Sequence, residues 1–309
     1  MKKQLFFLFF VIILLCYLLF APIEAFAAAS DGLMLWFHTI LPSLLPFIII
    51  SNFLISTRKI PVILNHFSQF FAISMGLSVY GAYAMVLGLF CGYPMGAKVT
   101  GDLYREGLID SEEASYLLTF TNNPSPMFIS SFLLGQVLGR PELFASTLCI
   151  LYLAALLTSV VFRFYFHRFR KIETKSLNLS APADNYLTIL DHAIMNGFET
   201  ITKLGGYIIL FSILASFMDH FMIPLPFLPD FLPGFIEMST GVVKIMNTTY
   251  TFSIKYLVML LCISFGGIST ILQTKGMLYG TPLSLQLYII GKIVHTIFTF
   301  IVGILFHIF

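Results

Sequence analysis

The chain has 309 residues and a formal net charge of +2; hydrophobic residues make up 58% of it and charged residues only 10%. A soluble domain carries roughly 25% charged residues, so an ordinary water-soluble enzyme is excluded. The near-neutral balance draws no nucleic acid. A mean hydropathy of +0.91, with the apolar residues in long blocks, is the pattern of membrane spans.

Lys2 and Lys3 precede an apolar run from Leu5 to Phe20, and Ala25-Phe26-Ala27 follows. Residues 1–28 therefore fit both a cleaved signal peptide and an uncleaved membrane anchor; the membrane-embedded remainder favours the anchor. The next block, Leu33 to Ile55, contains Pro42 and Pro46 and ends at Arg58-Lys59. Ile73 to Ala97 is interrupted by six glycines and prolines, among them Gly92, Pro94 and Gly96. The charged stretch from Lys98 to Glu113 predicts a solvated helix with a start at Ser111-Glu112-Glu113. Tyr116 to Leu134 is broken by Asn122-Asn123-Pro124-Ser125-Pro126, and Leu143 to Phe166 is continuous. Arg163, Arg168, Arg170, Lys171 and Lys175 form the richest basic cluster, which runs into a basic linker, 167–186. An amphipathic stretch, a span over Leu204–Met222, a Pro-rich loop at 224–233, a block over Tyr256–Leu272 with Gly266-Gly267, and a last span over Leu283–Phe309 complete the chain. Cys16, Cys91, Cys149 and Cys262 lie in separate apolar blocks and read as small buried hydrophobes.

The positive-inside rule puts Lys2/Lys3, Arg58/Lys59 and the 163–175 cluster in the cytoplasm. An even number of crossings must then separate residue 59 from 163, although three apolar blocks lie between them. One block is expected to be re-entrant, and the Gly/Pro-broken 73–97 fits best, since irregular backbone survives in a membrane only where protein or a watery cavity lines it. The same argument makes 256–272 re-entrant from the opposite face. The halves 29–166 and 187–309 also resemble each other. Met34, Phe37, Thr39 and Ile40 align with Met195, Phe198, Thr200 and Ile201; Phe90, Gly92, Gly101, Leu103, Tyr104 and Leu108 align with Phe265, Gly267, Gly276, Leu278, Tyr279 and Leu283. The expected fold is an all-α polytopic membrane protein of about six to eight helices, built as two inverted repeats with re-entrant broken-helix hairpins. In that architecture a substrate binds near the midplane between the repeats.

Four polar groups are candidates for the site. Gly92-Tyr93-Pro94 with Gly96 breaks a helix and exposes half-helix ends that favour anions, and Lys98 adds a charge or snorkels to the surface. Thr121, Asn122, Asn123 and Ser125 are costly in an apolar segment unless they bind something or cap the break. Gly266, Gly267, Ser269, Thr270 and Gln273 are either the counterpart of the 92–98 break or a close helix contact. Glu237, with Ser239 and Thr240, is a carboxylate beside an apolar segment that senses a proton or cation or lies at a wet interface. Lys292 and His295, one turn apart in the last span, face the central cavity or stabilise the bundle. No Ser–His–Asp order, HExxH, P-loop or GxGxxG occurs. No enzymatic activity, cofactor or metal is expected, and transport would be secondary or facilitated.

Gly32-Leu33-Met34-Leu35-Trp36, Leu41-Pro42-Ser43-Leu44-Leu45-Pro46-Phe47, Gly92-Tyr93-Pro94-Met95-Gly96-Ala97-Lys98, Gly107-Leu108-Ile109 with Glu112-Glu113-Ala114, and Thr121-Asn122-Asn123 with Pro126 resemble the sporulation integral membrane protein YlbJ family. So do Leu204-Gly205-Gly206-Tyr207-Ile208-Ile209-Leu210-Phe211-Ser212 and Phe265-Gly266-Gly267. That family belongs to the nucleoside-recognition, or Gate-domain, superfamily. The family has Ser-Gly where this chain has Pro124-Ser125. The resemblance implies endospore formation and transport of dipicolinate across the forespore-surrounding membrane. The superfamily name implies nucleosides, and a non-transporting assembly protein is the reading from another class. The implied partners are the lipid bilayer and a small organic anion or nucleoside, with a homo-oligomer left open.

Overall fold

The computed structural model describes residues 2–57, 59–166, 185–221 and 228–307, and every regular element in them is helical. Arg58, the basic residues at 168–175 and the prolines at 224 and 226 lie outside the described residues. Helices α1 (Lys2–Phe20) and α2 (Pro22–Leu35) meet at a sharp bend of 111°. A π-turn over Trp36–Ile40 joins α2 to α3 (Leu41–Ser56), which carries Pro46 inside it. Two short helices follow, α4 (Ile60–Asn65) and α5 (Ser68–Met75).

Helices α6 (Val79–Cys91) and α7 (Met95–Arg105) fold back on each other as a hairpin with its tip at Gly92-Tyr93-Pro94. Ser78 caps α6 by accepting from the Gly81 N–H (3.0 Å). A 13-residue helix rises only about 20 Å, short of the ~30 Å hydrocarbon core, so neither arm of this hairpin is long enough to span. The block expected to be re-entrant thus contains a half-length hairpin, over 79–105. It is enclosed by protein: Ala82, Ala84 and Ala97 are fully buried.

Helix α8 (Ser111–Leu118) starts at Asp110, whose carboxylate accepts from the Glu113 N–H (2.6 Å). The start matches the sequence expectation, but Glu113 is not solvated. It is buried, and its Oε1 accepts from the Ser78 N–H (2.6 Å), tying α8 to the start of α6. Residues 119–127 interrupt the segment, and a π-helix over Phe128–Leu138 continues it. Helix α9 (Phe144–Tyr165) is a full-length span.

Helix α10 (Tyr186–Phe221) runs 36 residues without a break, so the amphipathic stretch and the following span are one element. Tyr17 of α1 docks on it through the Ser216 hydroxyl (2.9 Å). A second hairpin follows, α11 (Leu228–Ile236) against α12 (Met238–Met246), with its tip at Glu237. Pro229 and Pro233 lie within α11, not in a loop. Helices α13 (Phe252–Phe265) and α14 (Gly267–Met277) run on as one interrupted span, and α15 (Leu285–His307) closes the chain. Against the expectation that 256–272 is re-entrant, 252–277 is long and apolar enough to cross, and the half-length hairpin of this half is 228–246. Among the described residues four helices are long and apolar enough to cross a membrane, and up to six if each bent pair counts as one span. The molecule is a multi-pass α-helical membrane protein.

The element order recurs. In each half a short hairpin, an interrupted segment and a long closing helix follow in that order after a longer helix, with α4 and α5 intervening before the hairpin in the first half only. One end of the bundle is marked by Arg105 donating to the Tyr279 carbonyl (3.0 Å) and Arg163 to the Ile73 carbonyl (2.7 Å). The other end is marked by Arg140 over the Phe252 ring (5.0 Å) and by Lys255 donating to the Met246 carbonyl (2.8 Å).

Candidate functional site

The four interruptions converge. At the first tip Gly92 adopts φ +77°, and a Cβ there would lie 2.7 Å from the Ser125 nitrogen. Gly96, one turn on, leaves room for the Thr121 carbonyl, which a Cβ would approach to 2.7 Å. The hairpin therefore seats directly on the broken segment 121–126. The Tyr93 hydroxyl donates to the Met238 sulfur, so the two hairpin tips touch. At the second tip Glu237 caps α12, accepting from the Thr240 N–H (2.7 Å). Gly267 sits against the carbonyl of Ile236, so the break in 252–277 lies beside that tip.

A small cavity lies where these pieces meet. Its polar wall is Tyr93, Ser125, Glu237, Ser239, Thr270 and Gln273; Gly92, the sulfur-bearing Cys91 and Met238, and the apolar Ile40, Leu44, Phe128, Leu204 and Ile208 complete it. It leaves about 20 Å³ in which the centre of a water-sized particle can move, room for one such particle and no more. Gln273 donates to the Ser269 hydroxyl one turn away (3.1 Å), whereas its buried Oε1 has no hydrogen-bond partner.

Behind the cavity lies a second polar layer. Asn122 donates to Thr274 Oγ1 (3.0 Å) and to the Tyr288 hydroxyl (3.2 Å), and its Oδ1 accepts from the Ala97 N–H (3.4 Å). One side chain thus joins α7, α14 and α15. Lys292, 2% exposed, donates to the Asn122 carbonyl (3.1 Å) and to Asn123 Oδ1 (3.4 Å). Asn123 donates in turn to the Phe120 carbonyl (2.5 Å). The broken backbone of 121–126 exposes carbonyl oxygens, and the ammonium satisfies them.

Of the residues singled out in the sequence, Gly92, Tyr93, Ser125, Glu237, Ser239, Thr270 and Gln273 reach the cavity. Pro94 begins α7, and Gly96, Thr121, Gly266 and Gly267 shape backbone contacts. Asn122 and Asn123 hold the second layer. Ser269 orients Gln273, and Thr240 pairs with the Ser212 hydroxyl (3.0 Å). Lys98 does not line the cavity; it lies half-buried on α7 and meets Asp102 at 3.5 Å. His295 stabilises the bundle, with its ring nitrogens at the Ser264 (3.3 Å) and Leu151 (3.0 Å) carbonyls. Tyr288, Thr274 and Met238 were not singled out. The signal for Tyr288 was its spacing: Tyr288, Lys292, His295 and Thr299 recur every three to four residues, and all are buried on one face of α15.

Compared with known proteins, the chain is 25% identical over 316 aligned residues to sporulation integral membrane protein YlbJ of Bacillus subtilis (strain 168), covering 90% of this chain and 76% of that one. The likeness extends over most of both chains. No protein-family model matches it, and no solved structure does.

Proposed function

We propose that this protein is a secondary or facilitated transporter of a small organic anion, with dipicolinate in endospore formation as the first candidate. The dipicolinate assignment comes from the family resemblance. The single observation supporting transport is the meeting of two half-length hairpins and two interrupted spans around a polar cavity inside a membrane protein. Secondary transporters place their substrates at such breaks, between repeats of opposite orientation. The cavity is far smaller than an aromatic dicarboxylate, so this conformation is closed around its centre. Substrate entry requires a hairpin to move away from its interrupted partner.

A second reading is a nucleoside or related polar solute. It is favoured by the wall itself: Glu237, Gln273, Ser239 and Thr270 offer hydroxyl, amide and carboxylate groups, and no Lys, Arg or His lines the cavity. Hydroxyls and ring amides pair readily with such a wall. The deciding experiment is uptake of labelled dipicolinate by liposomes holding the purified protein, against a nucleoside panel. Saturable dipicolinate uptake that Gln273→Ala and Ser125→Ala reduce by about tenfold or more supports the first reading. Nucleoside uptake with the same mutant pattern selects the second. Uptake of neither by folded protein rejects transport and leaves an assembly role in the sporulation membrane.

A further inference from the structure

The charge on the cavity does not match an anion. Glu237 is 2% exposed and, among the described residues, forms no ion pair. The buried ammonium of Lys292 is engaged by Asn122 and Asn123 in the layer behind. A buried carboxylate with no positive partner is costly. It would also repel a second negative charge brought beside it.

We propose that the cavity at the two hairpin tips is a site for one monovalent hard cation of sodium's class, held by Glu237 and Gln273 with the hydroxyls of Ser239 and Thr270. Three independent features agree. The four proposed ligands are all oxygens, which suit hard cations; of the two sulfurs that also line the cavity, Cys91 and Met238, the second is already engaged by the Tyr93 hydroxyl. Gln273 is 5% exposed, lines the cavity and has a carbonyl oxygen with no partner. A water would satisfy that oxygen but leave the carboxylate uncompensated; a cation does both. The free space of about 20 Å³ fits one small particle. Monovalence follows from the single carboxylate, and among the described residues no three His, Cys, Asp or Glu side chains gather to hold a more highly charged metal.

The site deepens the transport reading and, in its consequence, rests on it. A cation between Glu237 and an arriving carboxylate converts repulsion into a bridge, so an anionic solute would move only with the cation. Binding itself needs no solute and is measured without one. Purified full-length protein in detergent is titrated with NaCl against choline chloride at constant ionic strength, following the melting temperature. We expect a saturable rise with sodium and none with choline, because a ligand that binds only the folded state stabilises it by mass action. Glu237→Gln, whose amide oxygen can still cap α12, should weaken sodium by at least about tenfold. Gln273→Met, a volume-conserving change, should weaken it by about tenfold. No saturable sodium effect on the wild type overturns the proposal without recourse to any variant, as does a sodium effect that both variants retain in full. If sodium binds but no solute is taken up, the site stands and the transport reading falls.

Discussion

Lys292 is the buried charge whose surroundings are most fully defined. Its ammonium meets one backbone carbonyl and one amide oxygen, both supplied by the broken segment after α8. Replacing Lys292 with Met removes the charge and orphans two acceptors, which costs about 1–3 kcal/mol. Asn123→Ala removes an acceptor and leaves the ammonium buried beside a single carbonyl. It should destabilise more than Lys292→Met, because a stranded charge costs more than a stranded dipole. Thermal unfolding of the two variants in the same detergent tests this order, and the reverse order would show that Lys292 is not the group Asn123 serves. Polar residues inside apolar blocks were legible as candidates by composition alone, and Glu237, Gln273 and the Asn pair were found that way. Their division into cavity wall and supporting layer was not legible. It depends on which side of α15 faces the break, a tertiary fact carried by the spacing of Tyr288, Lys292 and His295.

At the scale of elements, the two hairpins solve one turn in two ways. The first uses Gly92 at positive φ followed by Pro94; the second uses Glu237 in an extended conformation with its own side chain as the cap. The two tips therefore share no sequence, and the strongest sequence match joined Gly92 to Gly267 instead. That match pairs a hairpin tip with an interruption in a through-running span. Element order sets the tip at 92–94 against the tip at 237, and the break at 121–126 against the one at 266. The Gly/Pro signal located three of the four interruptions. At the fourth the prolines 229 and 233 read as a loop, because proline inside a nine-residue helix is indistinguishable by composition from proline in a turn. The seat of the first hairpin on its partner can be tested with two glycines. At Gly96 a Cβ would meet backbone, the Thr121 carbonyl oxygen at 2.7 Å and its carbon at 3.0 Å. Backbone yields poorly, so Gly96→Ala should cost about 1–3 kcal/mol and loosen the tip. Gly276, on α14, has nothing within 4 Å of the same position. Gly276→Ala should be neutral or stabilise by up to about 1 kcal/mol, the helix preference of alanine. Equal melting temperatures for the two variants would remove the close seating at Gly96.

For the whole molecule, the contacts at its two ends fix how the hairpins are directed. Ser74 and Ile73, just before the first hairpin, accept from Arg163 near the end of α9, and Arg105 at that hairpin's base reaches Tyr279. Lys255, beyond the second hairpin, donates to Met246 at that hairpin's base; Arg140, before α9, covers Phe252. Helix α9 has 22 residues, about 33 Å at 1.5 Å each, so its two ends lie on opposite sides of a hydrocarbon core. The first hairpin thus opens toward the end of α9 and the second toward its start, which is the arrangement that inverted repeats require. It also satisfies the charge rule: the segment 111–138 and α9 make the two crossings that separate Lys59 from Arg163, and the first hairpin adds none. The end bearing Arg105 and Arg163 should therefore be cytoplasmic. Tyr279, 88% exposed, and Glu142, whose side chain is 59% exposed, report on the two ends without disturbing the core. In intact cells a membrane-impermeant thiol reagent should label Glu142→Cys and spare Tyr279→Cys until the membrane is opened, in a background with Cys16, Cys91, Cys149 and Cys262 replaced by alanine. Labelling of Tyr279→Cys alone would reverse the orientation but keep the inverted arrangement. Labelling of both from outside would place the two ends on one side, and neither the crossing of α9 nor the opposed hairpins could then stand.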